Sequence, residues 1–431
     1  MKRIYIGNKE IAGYFTRLKE GFDKLGVEAD LWFLIGSDYY NPPMNRLALL
    51  NQAVFRFYRR CRKPWLLPLM LPAAGLLMLI HTVVFLYALV RYDVFILNSQ
   101  PFFTYHELAI LRLFQKKIIV VFLGTESRPA YLSGNSILGK YTASDGTLRL
   151  SRCYRDTKAQ YKRIALIEKY AHHIINHLPT ALFQKKPFIA WLHVGFPNDE
   201  NLMTPAPPQN GFSRIVKVLH APSNSKAKGT AIIEEIIGKL QKEGLPIEYL
   251  RLENVPNEQV IDELSRCDLV VDELYSDIPI GGLGTEAAFA RKAVINGGYY
   301  ARGIRQDYPD ELIPPACFCQ PENLHYEIRN LVINKPLRQE YATKLHDFVT
   351  SRWCNAAVAE KYMHIINDNI PQEWMYDPKK LHYFKGYGIS KDNLKAFLRS
   401  YVMRNGLNAL FLDDKPELLA QITEFITTQS D

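Results

Sequence analysis

The sequence predicts an α/β protein built from two parallel sheets, followed by a mainly helical C-terminal extension. Short strand-like runs alternate with helical patterns through the first 200 residues or so. A second series of the same kind begins after a stretch rich in proline and asparagine. Strands that alternate with helices favour βαβ units and therefore a parallel sheet. From about residue 337 the pattern is helical.

The first series of elements fills residues 1–197, which we predict to be one domain. Its strand-like runs are rich in β-branched and aromatic residues and occur at 3–7, 28–34, 93–98, 117–124 and 172–177. The helical patterns between them occur at 14–25, 104–114 and 158–170. Residues 198–212 come next, and their prolines and asparagines predict a linker.

The second series predicts another domain over residues 213–360. Its strands are expected at 214–220, 247–252, 269–274 and 293–296. Its helices are expected at 229–242, at 257–265 and from 284 onwards. The remainder, residues 361–431, is predicted to be a mainly helical extension and contains no motif that indicates a function.

Composition narrows the class of protein and of partner. The chain has 431 residues and 53 Lys and Arg against 44 Asp and Glu, a formal charge of +9 that favours an anionic partner. Only Cys317 and Cys319 of the six cysteines lie close together, and no second pair completes a zinc site, so we expect no metal. Met1 runs straight into a strand-like segment, which predicts a cytoplasmic protein without a signal peptide.

A basic cluster with interleaved aromatic residues precedes a long apolar run. The segment from residue 39 to 92 contains no Asp or Glu. The cluster consists of Arg56, Arg59, Arg60, Arg62 and Lys63, followed by Trp65. The 26 residues from Trp65 to Val90 contain no charged side chain. A nucleic-acid surface is disfavoured, because the cluster adjoins an apolar run rather than a helix that enters a groove.

This apolar run is long enough to cross a membrane. However, the strands at 28–34 and 93–98 should share one sheet, so both ends of the run must lie on the same side of the bilayer. Pro68 and Pro72 leave only residues 73–90 as an uninterrupted helix. We therefore expect a shallow or re-entrant monotopic insertion at an anionic membrane, with a buried core helix as the alternative.

The first candidate ligand-binding segment is the loop His220–Thr230, between a strand and a helix. Free backbone N–H groups and the helix dipole make such a loop suited to phosphate. The candidate ligand-binding residues in it are Ser223, Asn224, Lys226, Lys228 and Gly229. The two lysines add positive charge that can balance a diphosphate.

The second candidate segment comes after Asp272-Glu273-Leu274 at the end of a strand. Gly281, Gly282 and Gly284 allow the backbone to approach a ligand closely. We place Glu286 in the first helical turn, where its carboxylate can accept hydrogen bonds from ribose hydroxyls or stabilise the helix N-terminus instead. Both segments are at carboxyl ends of strands in one α/β domain, where such sheets bind ligands.

These residues give the chain a resemblance to a known family. The order of strand, H-x-P-S-x-x-x-x-K-G-T and helix, then Val255-Pro256, Cys267-Asp268 and G-x-G-x-E-A, resembles the donor half of family 4 glycosyltransferases of the GT-B fold. Arg91-Tyr92-Asp93 followed by Lys117–Gly124 and Thr125-Glu126-Ser127-Arg128 resembles the acceptor half of that family. The resemblance covers roughly residues 1–360.

The resemblance implies two Rossmann-like domains with a cleft between them and a role for each candidate residue. It implies that Lys228 contacts the donor diphosphate, that Glu286 holds the ribose, and that residues around Val255 lie against the base. It also implies that the loop 281–284 wraps the phosphates, that configuration is retained and that neither metal nor cofactor is required. Glu126 and Arg128 are candidates for the sugar or acceptor pocket, against the alternative that each belongs to a capping ion pair.

Three positions differ from the pattern of the family. The position eight residues before Glu286, where the family often has a second glutamate, is Ile278, and an expected arginine is Pro222. We consider Lys226 or Asp277 as substitutes. The usual histidine near the end of the segment 117–124 is Leu123.

The sequence thus predicts a glycosyltransferase of bacterial envelope polysaccharide synthesis, with Lys228, Glu286 and Glu126 as the candidate catalytic residues. Its expected partners are a nucleotide-sugar, a glycan or lipid-linked acceptor and an anionic membrane at the cytoplasmic face of the inner membrane. The alternative is a catalytically degenerate GT-B subunit of a membrane glycan-assembly complex. A sugar-nucleotide epimerase or a phosphorylase of the same fold is disfavoured, because neither needs a basic apolar surface.

Overall fold

A computed structural model describes residues 2–35, 46–61, 63–199, 215–385 and 387–428. Most of the predicted linker, and Arg62 of the basic cluster, lie outside the described residues. The predicted fold class is confirmed. Two Rossmann-like α/β domains face each other across a cleft, and the chain ends in a mainly helical segment.

The first domain is organised by a seven-stranded sheet in the order β12-β6-β5-β4-β3-β1-β2, which is parallel except for β12. Its strands are β1 (Ile4–Lys9), β2 (Ala29–Ile35), β3 (Val94–Leu97), β4 (Lys117–Val121), β5 (His173–Asn176), β6 (Phe188–Ala190) and, from the C-terminal segment, β12 (Met375–Tyr376). The helices between them are α1 (Tyr14–Lys24), α2 (Arg46–Arg60), α3 (Met70–Arg91), α4 (Glu107–Leu113), α5 (Gly134–Ser136), α6 (Leu150–Tyr170) and α7 (Trp191–Val194).

The second domain is organised by a five-stranded parallel sheet in the order β11-β10-β9-β7-β8. Its strands are β7 (Val216–His220), β8 (Ile247–Arg251), β9 (Leu269–Val271), β10 (Ala293–Gly297) and β11 (Cys317–Cys319). Its helices are α8 (Ser225–Lys228), α9 (Thr230–Lys242), α10 (Asn257–Arg266), α11 (Gly282–Phe289), α12 (Ile304–Asp307), α13 (Leu324–Ile333) and α14 (Lys335–Arg352).

In each sheet the order of the strands reverses at one point, and that point determines where a ligand can bind. The order reverses at β1 and β3 in the first sheet and at β7 and β9 in the second. Open α/β sheets bind ligands beyond the carboxyl ends of the strands at such a switch point. The loops after β1, β3, β7 and β9 therefore form the walls of the cleft.

The C-terminal segment returns to the first domain. Its helices are α15 (Asn355–Ile366), α16 (Lys391–Asn405) and α17 (Pro416–Thr427). The Tyr362 hydroxyl on α15 lies 3.0 Å from that of Tyr14 on α1. At the crossing, the Asn198 N–H donates to the Trp353 carbonyl at 3.0 Å, and the Asn355 N–H donates to the Asn198 carbonyl at 2.9 Å. The two places where the chain passes between domains are thus hydrogen-bonded to each other.

The apolar run forms α3, which starts at Met70 rather than at residue 73 as predicted. Pro72 falls in the first turn, where proline costs no helical hydrogen bond. Within the described residues, α3 is the only helix that is long and apolar enough to cross a membrane. About 33% of its most apolar stretch of 18 residues is buried. α3 packs against α2. The strands before and after these two helices, β2 and β3, lie in one sheet with only β1 between them.

One face of α3 is buried against the first domain and the other is exposed. The buried face includes Ile80, Val84 and Phe85, and the Phe85 ring lies 5.2 Å from that of Phe102. The exposed apolar side chains of α2, α3 and the turn between them are Leu47, Leu49, Leu50, Phe57, Trp65, Leu69, Leu71, Leu76, Met78, Leu79, Val83, Leu86, Tyr87 and Val90. We call this set the apolar face.

The contact between α1 and the returning C-terminal segment leads to a stability prediction. A Cβ atom on Gly21 would lie 2.0 Å from the Asn355 carbonyl oxygen, which is backbone and cannot give way cheaply. We expect Gly21→Ala to lower the free energy of unfolding by about 1–3 kcal/mol, the usual cost of overpacking. Chemical denaturation monitored by circular dichroism measures the change.

The matched control is Gly238→Ala, because a Cβ at this helical position meets no atom within 4 Å. That change should stabilise the protein by about 0.5–1 kcal/mol, since alanine restricts the unfolded chain more than glycine does. Equal stabilities for the two variants would show that the α1–Asn355 contact is not tight.

Candidate functional site

Three adjoining cavities lie in and beside the cleft. The second-domain cavity has a volume of about 300 Å³, the central cavity about 380 Å³ and the first-domain cavity about 840 Å³. The second-domain and central cavities share Ala12, Ser223 and Gly282 in their walls. The central and first-domain cavities share Ile11, Thr125, Glu126 and Arg128. The three therefore form a continuous path from one domain to the other.

Lys228 lines the second-domain cavity but its charge is not free. It ends the short helix α8, and Gly229, with a φ of 73°, redirects the chain into α9. The Lys228 Nζ lies 2.7 Å from Asp272 Oδ1 and 2.5 Å from Glu273 Oε1, at the end of β9. Burial opposes the charge of Lys228, but the two carboxylates outweigh it and raise its pKa. Lys228 is therefore cationic, and it is compensated in the absence of a ligand.

Glu286 lies in the same cavity, in the second turn of α11 rather than in the first turn as predicted. Its carboxylate accepts hydrogen bonds from the Asn257 side chain at 3.1 and 3.3 Å, and 5% of the residue is exposed. The alternative that it stabilises the helix N-terminus is therefore wrong. Burial raises the pKa of Glu286 to about 7, against the opposing charge of Arg17 on α1. No motif in the sequence indicated Asn257 or Arg17.

Some of the other predicted donor-binding residues line these cavities and others do not. Ser223, Val255 and Gly282 line the second-domain cavity, and Gly281 lines the central cavity. Lys226 is exposed and outside both. Asn224 caps α8 by accepting the Ala227 N–H at 3.0 Å. A Cβ on Gly284 would lie 2.9 Å from that of Ile280, so this glycine serves close packing of α11 rather than phosphate contact.

His220, the first residue of the loop His220–Thr230, has a structural role. Its Nδ1 lies 2.8 Å from the Val271 carbonyl oxygen and its Nε2 lies 2.9 Å from the Thr230 hydroxyl. Burial lowers the pKa of His220 to about 4, so the ring is neutral at pH 7. The histidine thus fixes the loop between β7 and α9 without adding charge to the cavity.

A buried ion pair joins the two domains at the boundary of the central cavity. Arg128 of the first domain pairs with Asp277 of the second, and both are at most 4% exposed. The guanidinium lies 5.0 Å from the centre of the Tyr387 ring, and the Tyr387 hydroxyl donates to Glu273 at 3.4 Å. In the described part of the chain, Arg128 thus pairs across the domains and not with Glu126, so the predicted alternative of a capping ion pair is wrong.

The central cavity contains two further groups capable of proton chemistry. Glu126 lies at its border with the first-domain cavity and accepts the Leu123 N–H at 2.9 Å. Burial raises the pKa of Glu126. His177 lies at the end of β5, beside Trp191, and burial with the nearby Arg128 lowers its pKa to about 3. His177 was not among the predicted site residues, although its position at the end of a predicted strand was a signal.

The described residues contain no group of three or more His, Cys, Asp or Glu side chains placed to hold a metal ion. The clustered carboxylates Asp272 and Glu273 are engaged by Lys228, and Asp277 by Arg128.

Solved structures with a similar arrangement have low sequence identity to this chain. Anabaena HepE bound to UDP-glucose has a TM-score of 0.49 and 13% identity, and the match covers 85% of this chain and 100% of HepE. Staphylococcus aureus MnaA bound to UDP has a TM-score of 0.44 and 10% identity, covering 86% and 97%. The glycotransferase of kitacinnamycin has a TM-score of 0.42 and 12% identity, covering 86% and 100%.

No family model and no curated protein matches the chain. With TM-scores below 0.5, the structural likenesses do not assign a reaction to it.

The raised pKa of Glu286 leads to a prediction for stability against pH. A folded pKa of about 7, against an ordinary value of 4.5, means that the folded state holds a proton that the unfolded state releases. This contribution is fully present below pH 4.5 and is lost as the pH rises through 7. Relative to Glu286→Gln, the parent should lose on the order of 3 kcal/mol between pH 4 and 8. Urea unfolding of both proteins at each pH measures this difference, and parallel pH profiles would contradict it.

Proposed function

We propose that this protein is a glycosyltransferase that moves a sugar from a nucleotide-sugar to a lipid-linked glycan acceptor at a membrane. The observation on which the proposal rests is the continuous path of three cavities. Lys228 and Glu286 lie in the second-domain cavity at one end of the path. Glu126 lies where the central cavity meets the first-domain cavity at the other end. Such a path allows a donor and an acceptor to meet in the central cavity while each is held by its own domain.

The second-domain cavity has the chemistry that a nucleoside diphosphate requires. Its apolar wall includes Leu252, Val255 and Leu283, which suit the flat face of a base. Glu286 and Asn257 offer an acceptor and a donor to ribose hydroxyls. Gly282 lines both the second-domain and the central cavity, and Lys228 pairs with Glu273, which lines the central one. The diphosphate would be placed where these two cavities meet.

In this proposal, the residues of the central cavity orient the transferred sugar, and Lys228 of the second-domain cavity stabilises the departing diphosphate. Lys228 supplies positive charge where negative charge develops as the glycosidic bond breaks. Glu126, held neutral over a wider pH range by its burial, lies where an acceptor hydroxyl enters and can hydrogen-bond it. Family resemblance supports retention of configuration without a metal. The same resemblance supports a role in envelope polysaccharide synthesis.

The apolar face supports the membrane part of the proposal. Helices bury apolar side chains where they can, yet α3 leaves Leu71, Met78 and Val90 more than 60% exposed. Arg56, Arg59, Arg60 and Lys63 lie at the end of α2 and just beyond it, beside Trp65. Exposed apolar groups flanked by cations and an aromatic residue are typical of a helix that lies in the interface of an anionic bilayer. We place the protein at the cytoplasmic face of the inner membrane as a monotopic enzyme.

Nucleotide binding is the direct test of the donor site. We expect a nucleoside diphosphate to bind the parent without added divalent metal, with UDP as the first of a panel of bases in calorimetry. Lys228→Ala should weaken binding at least about tenfold, because it removes one charge-assisted contact and exposes the phosphates to Asp272 and Glu273. Lys226→Ala is the matched control, since Lys226 is exposed outside the cavity.

Equal affinity in the parent and in Lys228→Ala would remove this site assignment. Sugar transfer to lipid extracts should then be measured with the sugar donor of the nucleotide that binds, and nuclear magnetic resonance of the product reveals the anomeric configuration. Nucleotide binding with no transfer or donor hydrolysis would instead indicate a degenerate subunit.

Membrane binding is tested by flotation with anionic liposomes. Replacing Arg56, Arg59, Arg60 and Lys63 by Gln should reduce flotation, because each removed charge loses about 1 kcal/mol of attraction to the anionic surface. Parent binding should weaken with salt but not vanish, because the apolar part is not screened. The control replaces four exposed lysines elsewhere by Gln, namely Lys158, Lys169, Lys242 and Lys335. Equal flotation of both variants would contradict a specific basic cluster.

A further inference from the structure

The first-domain cavity is the largest of the three cavities along the cleft. Its volume is about 840 Å³, within the range of about 300–1,000 Å³ that holds a drug-sized ligand. Its walls come from the loops after β1 and β3, from residues 125–141 and from α6. Any ligand assigned to this cavity rests on the proposed function, because the cavity would hold the acceptor of that reaction.

The charges in the wall of this cavity do not balance. The lining contains five cationic residues and two acidic residues. Lys140 pairs with Asp156 at 2.7 Å, and Arg128 is matched by Asp277 from the other domain. The second acidic residue, Glu126, is partly buried, and the charges of Arg163 and Lys9 favour its charged form against the effect of burial.

Three cations, Lys9, Lys162 and Arg163, remain after these two pairs are removed, against the single carboxyl group of Glu126. None of the three forms an ion pair with a carboxylate in the parts of the chain that the structure describes. Lys9 ends β1, whereas Lys162 and Arg163 come from α6, so two separate elements bring them to the same cavity. Like charges repel when they are brought together, so this arrangement has an electrostatic cost that an anion would remove.

Arg163 is held in place as a binding group would be. Its guanidinium donates to the Glu126 carbonyl and lies near the Tyr105 hydroxyl, where its charge opposes the rise in the Tyr105 pKa that burial causes. Its Nε is buried and has no hydrogen-bond partner. Gln160, one turn earlier on α6, donates to the carbonyls of Glu126 and Arg128 at 3.0 and 2.6 Å. α6 thus fixes both the loop that bears Glu126 and the cation beside it.

Several residues in the wall of this cavity have a buried polar atom without a hydrogen-bond partner. Ser133 is 3% exposed, Arg128 is 4% exposed and Gln160 is 9% exposed, and all three line the cavity. The Ser133 Oγ, the Arg128 Nε and the Gln160 Oε1 make no hydrogen bond. Leaving such a group unsatisfied costs about 1–3 kcal/mol, so a native protein usually satisfies it with a ligand or with water.

We infer that the first-domain cavity binds an acceptor whose sugar carries a negatively charged group, held by Lys9, Lys162 and Arg163. The group is an oxyanion, either the phosphate of a phosphate-linked acceptor or the carboxylate of an acidic sugar. Glu126 at the border of the central cavity then lies beside the hydroxyl that reacts, and the anion lies on the side of Arg163. A neutral acceptor would leave the excess of cations over Glu126 unbalanced and would bind more weakly.

The test is calorimetry on the full-length protein with four probes: inorganic pyrophosphate, glucose 1-phosphate, glucuronate and neutral methyl glucoside. Each is titrated with and without a saturating nucleoside diphosphate, so that binding in the second-domain cavity is recognised by competition. We expect charged probes to bind the parent and methyl glucoside to bind at least about tenfold more weakly, as the loss of one charge-assisted contact implies. The double variant Lys9→Gln/Lys162→Gln should lose this preference.

Lys158→Gln/Lys169→Gln is the matched control, because both lysines are exposed on α6 outside the cavity. Preference for the two phosphate probes identifies a phosphate-linked acceptor, and preference for glucuronate identifies an acidic sugar; both support the inference. The inference is overturned if no charged probe binds more tightly than methyl glucoside, if Lys9→Gln/Lys162→Gln binds as the parent does, or if Lys228→Ala alone abolishes anion binding. Failure of the nucleotide to bind would instead reject the donor site, and the titration without nucleotide would still decide this inference.

Discussion

The pairing of Arg128 with Asp277 is the interaction on which the site depends, because it joins the two domains inside the cleft. Both charges are almost fully removed from water, and breaking such a pair by removing one partner costs about 3–5 kcal/mol. Arg128 also lines both the central and the first-domain cavities. The pair therefore sets the distance between the walls that would hold a donor and an acceptor. The Tyr387 ring lies against Arg128, and its hydroxyl donates to Glu273, which in turn pairs with Lys228.

The regular part of the fold was predictable because its sequence signals are local. Buried parallel strands such as β4 require runs of β-branched residues, and these runs predicted each long strand to within a few residues. Strands β6, β11 and β12 were not predicted; they have two or three residues each and lie at or next to a sheet edge. β9 is as short, but it is central and fully buried, and its apolar run predicted it. The start of α6 was predicted about eight residues too late. Short edge elements are determined by the surface that they meet, which the sequence does not display.

The candidate site was predictable only in part, for the same reason. Lys228 and Glu286 were found because each lies in a motif near the carboxyl end of a strand. Arg17, Asn257 and Tyr387 reach the site from elements without a motif, and only tertiary structure brings them there. The sequence also could not predict that the charge of Lys228 is balanced, because its two carboxylate partners lie 44 and 45 positions away along the chain. His177 and Leu123 both line the central cavity, so a histidine is present there from the neighbouring strand.

The hydrogen bonds between Asn198 and the segment 353–355 have a mechanical consequence. The two covalent connections between the domains are tied together at this point, so the domains cannot slide apart there without breaking both bonds. The domains are also joined by the Tyr376 hydroxyl, which donates to Asp307 at 2.7 Å, and by the Gly388 N–H, which donates to the Tyr275 carbonyl at 3.0 Å. Any wide opening of the cleft to admit a large substrate would therefore have to break contacts at several places, the buried pair of Arg128 and Asp277 among them.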